Sequence, residues 1–339
     1  MKEEKPRSDE HSGQSVRPLG RHLAGSLAFL GILAVLLLLL SRLFLPKNNR
    51  QDFGMGEMKA NGILAEEANT IEVVALGNSE CATAIAPMVM WREQGITAYN
   101  CGTAGQYLYQ TVMYLEQALA GQSPSVVILE ADTIYKECML SDYLFSKLEA
   151  ILPVLRYHDR WKSLRAEDLG PVEYTWSDPN KGCMFYLDTV PVCPWDYMAP
   201  SDDVRQAARW NRQCLKEIIA LCEEKGARLL LVSTPSLVNW NAVNHNGIAA
   251  LAEEFGLEYL DLNMLCEELG IDWQTDTKDG GDHMNAWGAE KVSSYLAAYL
   301  TERYQVGGHG GQTGFESWEE ALAEYERQWE EQTGDRDQG

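Results

Sequence analysis

The stretch Val73–Pro87, VVALGNSECATAIAP, decides how this chain folds. Val73–Leu76 is an apolar run of the kind that forms a strand buried on both faces. Gly77-Asn78-Ser79 breaks it, and a helix-like stretch from Ala82 to Gln94 follows. Two readings of the break compete. Small polar side chains such as those of Asn78 and Ser79 cap helix N-termini. A serine at the open end of a buried strand is also where a nucleophile would be held.

The same alternation recurs downstream. ITAYNCG (96–102) and SVVILEA (125–131) read as strands, with a helix from Gln106 to Ala120 between them, stopped by Gly121. A long helix is expected over Val204–Lys225 after the capping run Ser201-Asp202-Asp203, ended by Gly226. RLLLVSTP (228–235) then reads as a strand, Ala242–Phe255 as a helix and LEYLDL (257–262) as a short strand. Asn285 caps a last helix running to Tyr304. Strands alternating with helices imply an α/β fold, a three-layer α/β/α sandwich around a mainly parallel sheet. Residues 143–200 are less regular and read as an insertion, with one helix over Leu144–Leu152, that folds over the sheet edge. Ligands of such sheets bind beyond the carboxyl ends of the strands. Ser79, Gly102 and the pair Glu130 and Asp132 all fall there.

Leu23–Leu45 is nearly all apolar and close to the roughly 20 residues that span a bilayer. SRLFLPKNNRQDF follows it and offers no small-x-small cleavage site, which favours an uncleaved transmembrane anchor. Lys2, Lys5, Arg7, Arg17 and Arg21 precede the span, against Arg42, Lys47 and Arg50 after it. That bias keeps residues 1–22 cytoplasmic and the large C-terminal part outside. Residues 46–70 read as a tether that lifts the domain off the membrane. A net charge of -22 over 339 residues excludes nucleic acid as a partner, because phosphates would be repelled. Eight cysteines without a CxxC pair argue against a zinc site, and the chain calls for no cofactor or metal. Cys183 and Cys193 flank a Pro- and aromatic-rich segment and suit a disulfide outside the cell, with free buried thiols as the plainer reading.

A nucleophilic serine needs a base, and the chain has six histidines. His11 and His22 precede or enter the apolar span, and His309 sits in a glycine run. Of the remainder, His158, His245 and His283, the last stands out in DTKDGGDHMNAWGAEK. Asp276, Asp279 and Asp282 crowd upstream, and Gly280-Gly281 allows a sharp turn. A carboxylate beside an imidazole fixes its tautomer and stabilises the imidazolium. STPSLVNWNAVNHN follows a strand, so Trp240, Asn241 and His245 are further candidates to line the cleft, beside Asn78.

LGNSE around Ser79, YNCGTAG around Gly102 and DGGDHMNAWGA around His283 resemble the blocks of the SGNH/GDSL hydrolase superfamily. The resemblance covers about residues 71–304. It implies a flavodoxin-like α/β/α domain, Ser79 as nucleophile, His283 as base, and Asp279 or Asp282 as the orienting acid. Asp279 is preferred, because adjacent side chains such as those of Asp282 and His283 diverge. The oxyanion hole would use the N–H groups of Ser79 and Gly102. The family's oxyanion Asn has no match after the third strand, where Glu130 and Asp132 stand. The anchored layout is similar to the cell-envelope subgroup, which includes SGNH proteins of teichoic-acid D-alanylation and alginate O-acetylation. It implies an esterase or O-acyltransferase acting on an envelope glycan or teichoic-acid-like polymer, with a membrane acyltransferase as a candidate partner. The alternative is an inactive scaffold subunit of the same fold. Beyond a Gly-rich linker (305–314), Phe315, Trp318, Leu322, Tyr325 and Trp329 recur at helical spacing on an acidic helix (315–333). The first expectation is that this face docks on the chain's own domain, the second that it takes a partner.

Overall fold

The computed structural model describes residues 19–334. Most of the expected cytoplasmic tail, with Lys2, Lys5, Arg7 and Arg17, lies outside the described residues. Helix α1 (Leu19–Phe44) opens the structure, and its stretch Leu23–Phe44 is long and apolar enough to cross a bilayer. After a one-turn helix, α2 (Met58–Asn61), come β1 (Val73–Leu76), α3 (Ser79–Ala84), α4 (Pro87–Gln94), β2 (Ala98–Asn100), α5 (Leu108–Gly121) and β3 (Val126–Glu130). α6 (Leu140–Ile151) and α7 (Val154–Tyr157) follow, then α8 (Arg209–Lys225), β4 (Arg228–Ser233), α9 (Ala242–Phe255) and β5 (Glu258–Asp261). A single turn, α10 (Cys266–Leu269), leads to α11 (Ala286–Tyr304) and α12 (Glu316–Gly334).

The five strands form one parallel sheet of order β2-β1-β3-β4-β5, the flavodoxin-like order. Successive residues of each strand point to opposite faces. Val74, Leu76, Val127, Leu129, Leu229 and Leu231 therefore enter one apolar cluster, which α5 and α8 cover. Val73, Ala75, Val126, Ile128, Leu230 and Val232 enter the other, filled by Met90 of α4 and by Val292, Leu296 and Leu300 of α11. The order reverses at β1 and β3, so the crevice of such a sheet opens beside Ser79 and Glu130.

The structure corrects several expectations. The helix after Ser79 is two helices, because Pro87 has no N–H to donate and instead begins α4 at its first position. Val204–Ala208 is not helical, and α8 starts at Arg209. Arg205 is held there by its N–H bond to Val243 O and by its guanidinium lying 4.3 Å from the Tyr135 ring. Residues 46–70 are not a free tether. Asn49 is fully buried, donating to Asn61 O and Trp176 O and accepting from the N–H groups of Thr175 and Trp176. The Gly-rich linker is also tied down, through Gly308 N to Gln94 O and His309 N to Gly95 O. α12 docks on the domain, with Trp318 and Tyr325 buried and Trp318 5.3 Å from Trp91. The eight cysteines are free thiols, so Cys183, buried, and Cys193, exposed, are not bonded to each other.

The insertion runs along the outer edge of β2, where Lys181 O accepts from Asn100 N at 2.8 Å. Asn100 itself is fully buried. Its Nδ2 donates to Cys81 O at 2.8 Å and Ile85 O at 2.7 Å, and its Oδ1 accepts from Gly102 N at 2.8 Å. One side chain thus fastens α3 to the end of β2. Removing it strands Ile85 O and Gly102 N, each worth about 1–3 kcal/mol, and leaves Cys81 O only its bond from Ile85 N. Asn100→Ala is expected to cost about 3 kcal/mol or more, roughly 6–12 °C in Tm for a domain of this size. Thermal unfolding followed by circular dichroism reads it, and an unchanged Tm would show that the clip carries no load.

Candidate active site

Ser79 is the first residue of α3, half-buried at the carboxyl end of β1. Asn78 caps that helix, its Oδ1 accepting from Glu80 N at 3.3 Å, while its Nδ2 donates to Asp132 Oδ2 at 2.9 Å. Asn78 N donates to Thr133 Oγ1 at 2.9 Å, so β1 and β3 are cross-tied just above the sheet. The turn demands glycine at 77, since a Cβ there would lie 2.6 Å from that of Glu130 and 2.8 Å from that of Cys81.

His283 arrives on the loop before α11. Gly280 and Gly281 have φ of +79° and +96°, in the left-handed region glycine favours. Gly281 N donates to Thr277 Oγ1 at 2.7 Å, Gly281 O accepts from Leu237 N at 2.7 Å, and Thr277 Oγ1 donates to His283 O at 3.1 Å. This fold brings Asp279 back onto the ring. Asp279 Oδ2 lies 2.7 Å from His283 Nδ1, and Asp279 Oδ1 accepts from His283 N at 2.8 Å. Asp282 Oδ2 is farther, 3.5 Å from Nδ1. Burial works to raise the Asp279 carboxyl, but the backbone and ring N–H groups of His283 outweigh it and hold it below the usual carboxylate range. With Nδ1 engaged by Asp279, His283 Nε2 is buried and has no hydrogen-bond partner.

Glu80 stands between the two halves. Ser79 Oγ donates to Glu80 Oε2 at 3.1 Å. Glu80 is buried, and an oxygen of its carboxylate, one of Asp282 and a ring nitrogen of His283 lie within 4.8 Å of one another. Among the described residues this trio is the grouping that could hold a metal ion. Asn239 Nδ2 bridges its two carboxylates, donating to Glu80 Oε1 and, at 2.5 Å, to Asp282 Oδ1. Neither Glu80 nor Asn239 was singled out by sequence reasoning. Asn239 lies in the same NWNAVNHN run as the candidates Trp240, Asn241 and His245, whose side chains bond to other partners. Trp240 Nε1 donates to Asp261 Oδ2 at 3.0 Å, His245 Nδ1 lies 2.6 Å from the same oxygen, and Asn241 caps α9. Gly102 lies against α3, where a Cβ would sit 2.9 Å from Ala82 N, and its N–H is taken by Asn100.

The site is strongly acidic. Glu130 is fully buried, and burial, then Asp132 and Glu80, push its carboxyl well above the usual range. Burial, then Glu80, also raises Asp132, to about 7, against the hydrogen bond from Asn78 and the charge of Arg205. A cavity of about 920 Å³ lined by residues of α4, α11 and α12, among them Arg92, Glu290 and Trp329, includes none of Ser79, Glu80, Asp279 and His283 in its lining and is distinct from this site.

No family model and no curated protein matches the chain. Among the solved structures it resembles are three of low identity. A GDSL-like lipase from Bacteroides thetaiotaomicron is 12% identical with a TM-score of 0.38, over 73% of this chain and 98% of that one. TesA is 12% identical with a TM-score of 0.36, over 68% and 98%. An acetyl xylan esterase from the rumen bacterium Butyrivibrio proteoclasticus is 10% identical with a TM-score of 0.31, over 70% and 65%.

A carboxyl raised from its unfolded value near 4 to about 7 contributes stability that is complete below the unfolded value and is lost as pH rises towards 7. Asp132→Asn removes that loss and keeps a partner for Asn78. The Tm of the variant relative to the parent should therefore climb between about pH 4 and pH 7.5. A difference that stays flat across that range would show that Asp132 is an ordinary carboxylate.

Proposed function

We propose that this is an extracytoplasmic, membrane-anchored SGNH-type serine hydrolase or O-acyltransferase that cleaves ester bonds on an envelope glycan or teichoic-acid-like polymer. The observation that carries the reading is the Asp279–His283 pair, which leaves Nε2 buried and without a partner, on a ring that has a nitrogen within 4.8 Å of a carboxylate oxygen of Glu80, the residue that accepts from the Ser79 hydroxyl. Rotation of Ser79 Oγ from Glu80 to His283 Nε2 gives the nucleophile its base. His283 takes the hydroxyl proton as Oγ attacks the acyl carbon, and Asp279 stabilises the imidazolium. The proton passes to the leaving alkoxide, and an acyl-Ser79 ester remains. Water then releases the acid in an esterase; a sugar hydroxyl accepts the acyl group in a transferase.

The developing oxyanion needs donors. The N–H of Ser79, in the first turn of α3, has no intrahelical partner. The N–H of Gly102 serves only if it leaves Asn100. Asp132, neutral below about pH 7, can donate where a charged carboxylate would repel, as neutral carboxyls do in other oxyanion sites. Support for the membrane anchor is the apolar stretch Leu23–Phe44. The flanking charges support the outward side.

A second reading, an inactive scaffold of the same fold, is favoured by one observation: Glu80 holds the Ser79 hydroxyl. Hydrolysis of p-nitrophenyl acetate by the full chain separates the two. Under the first reading Ser79→Ala abolishes turnover, and Asp279→Asn lowers it by about four orders of magnitude at unchanged Tm by fixing the wrong imidazole tautomer. Asp282→Asn should cost far less. Equal rates for the parent and Ser79→Ala would favour the scaffold.

A further inference from the structure

Helix α6 is turned inside out for a protein in water. Leu140, Leu144, Leu148 and Ile151 recur at helical spacing, with Phe145 beside them, and all five are between 43% and 69% exposed. The polar side of the helix faces the domain instead. Tyr143 donates its hydroxyl to Glu217 of α8 and stacks on Trp210, and Lys147 Nζ pairs with Glu217 at 2.6 Å. No residue of α6 is fully buried. A helix normally turns its apolar stripe to the core. A contiguous apolar patch left outside marks a surface that meets something other than water.

The position of this face says what covers it. α6 runs through Leu152-Pro153 straight into α7, and α7 is fastened to the end of the apolar helix α1. Val154 N donates to Ser41 Oγ at 3.2 Å, and Arg160, just beyond α7, donates to Phe44 O at 2.5 Å. The Arg160 guanidinium is itself buried and fixed by Asp168 at 2.5 Å. Leu45, at the foot of α1, shares a cavity of about 610 Å³ with Ala150 and Pro153. The far end of α6 is therefore pinned to the point where α1 leaves its apolar stretch. Exposed Trp161 and Lys162 lie at the same foot. An aromatic and a cationic stem together suit the headgroup layer.

We propose that the outward face of α6 lies in the surface of the bilayer that α1 crosses, so that the domain is seated on the membrane rather than held away from it. This rests on the reading of α1 as a membrane span. Interfacial helices bury their apolar side about 5–10 Å into the headgroup and acyl boundary. A helix of 12 residues, about 18 Å long, lies flat there. The near end of α6 connects through residues 131–139 to the carboxyl end of β3, the edge that carries Asp132 and faces Ser79. The seat thus brings the catalytic edge towards the bilayer and suits an acceptor or donor held at a lipid surface.

The test uses the full chain, with exposed Cys193 and half-buried Cys266 changed to Ser. A single NBD-labelled cysteine is placed by Phe145→Cys or, as a second variant, Ile151→Cys. Leu33→Cys in α1 reports insertion of that helix, and Glu268→Cys on α10, on the opposite face of the sheet, reports open water. Each is reconstituted in phosphatidylcholine vesicles with and without acyl-chain doxyl lipid. The expected result is at least twofold quenching at Leu33, Phe145 and Ile151, and none at Glu268. Quenching at Leu33 with Phe145 and Ile151 behaving like Glu268 overturns the seat while leaving the anchor intact. A blue-shifted but unquenched probe at Phe145 would mean that protein, such as a second copy of the chain, covers the face, and overturns it as well. No quenching at Leu33 removes the anchor and the seat together.

Discussion

The carboxamide of Asn100 is the constraint on which the candidate site depends. At the last residue of β2 it donates to Cys81 O in the Ser79 helix and to Ile85 O at its C-terminal cap, and accepts from Gly102 N. α3 is six residues long, too short to be stable by its own hydrogen bonds. Its orientation comes from this clip, from the Asn78 cap and from the tie of Asn78 N to Thr133. The serine is therefore held by side chains from β2 and from the turn after β3 rather than by its own helix. The close approach of Gly102 to Ala82 N is part of the same joint.

Charge shapes what the joint presents. Glu80, Glu130, Asp132, Asp279 and Asp282 gather at the carboxyl ends of β1 and β3 and on the His283 loop, and buried carboxylates repel one another. The structure relieves this in different ways. Asp279 is held charged by two N–H groups of His283. Asn239 donates to both Glu80 and Asp282. Glu130 and Asp132 are pushed towards the neutral form. The carboxyls pushed towards the neutral form lie on the β3 side and Asp279, held charged, on the His283 loop, so the cleft is polarised across the serine.

Much of this architecture was legible in the sequence. The apolar runs from Val73, Val126 and Leu229 are strands because a parallel sheet covered on both faces needs unbroken apolarity. Asn285 fixes the start of α11 and Gly226 the end of α8 by capping chemistry that is local. The approach of Asp279 to His283 was readable too, since Gly280-Gly281 leaves the chain room to fold back. What was not legible depends on contacts between distant segments. Asn100, Glu80 and Asn239 leave no periodic trace, and their partners are 15 to 159 residues away. Val204–Ala208 reads as helix but is irregular, with Arg205 tied to Val243 and Tyr135, and residues 46–70 read as a tether because nothing local reveals that Asn49 is buried.

The central claim is that Ser79 is a nucleophile activated by His283. Incubation of the full chain with a fluorophosphonate, followed by peptide mass spectrometry, tests it most directly. One phosphonyl adduct per chain on the peptide carrying Ser79, absent from His283→Ala at matched folding, is the result this account predicts. A folded chain that takes up no label, or that is labelled elsewhere, would contradict it.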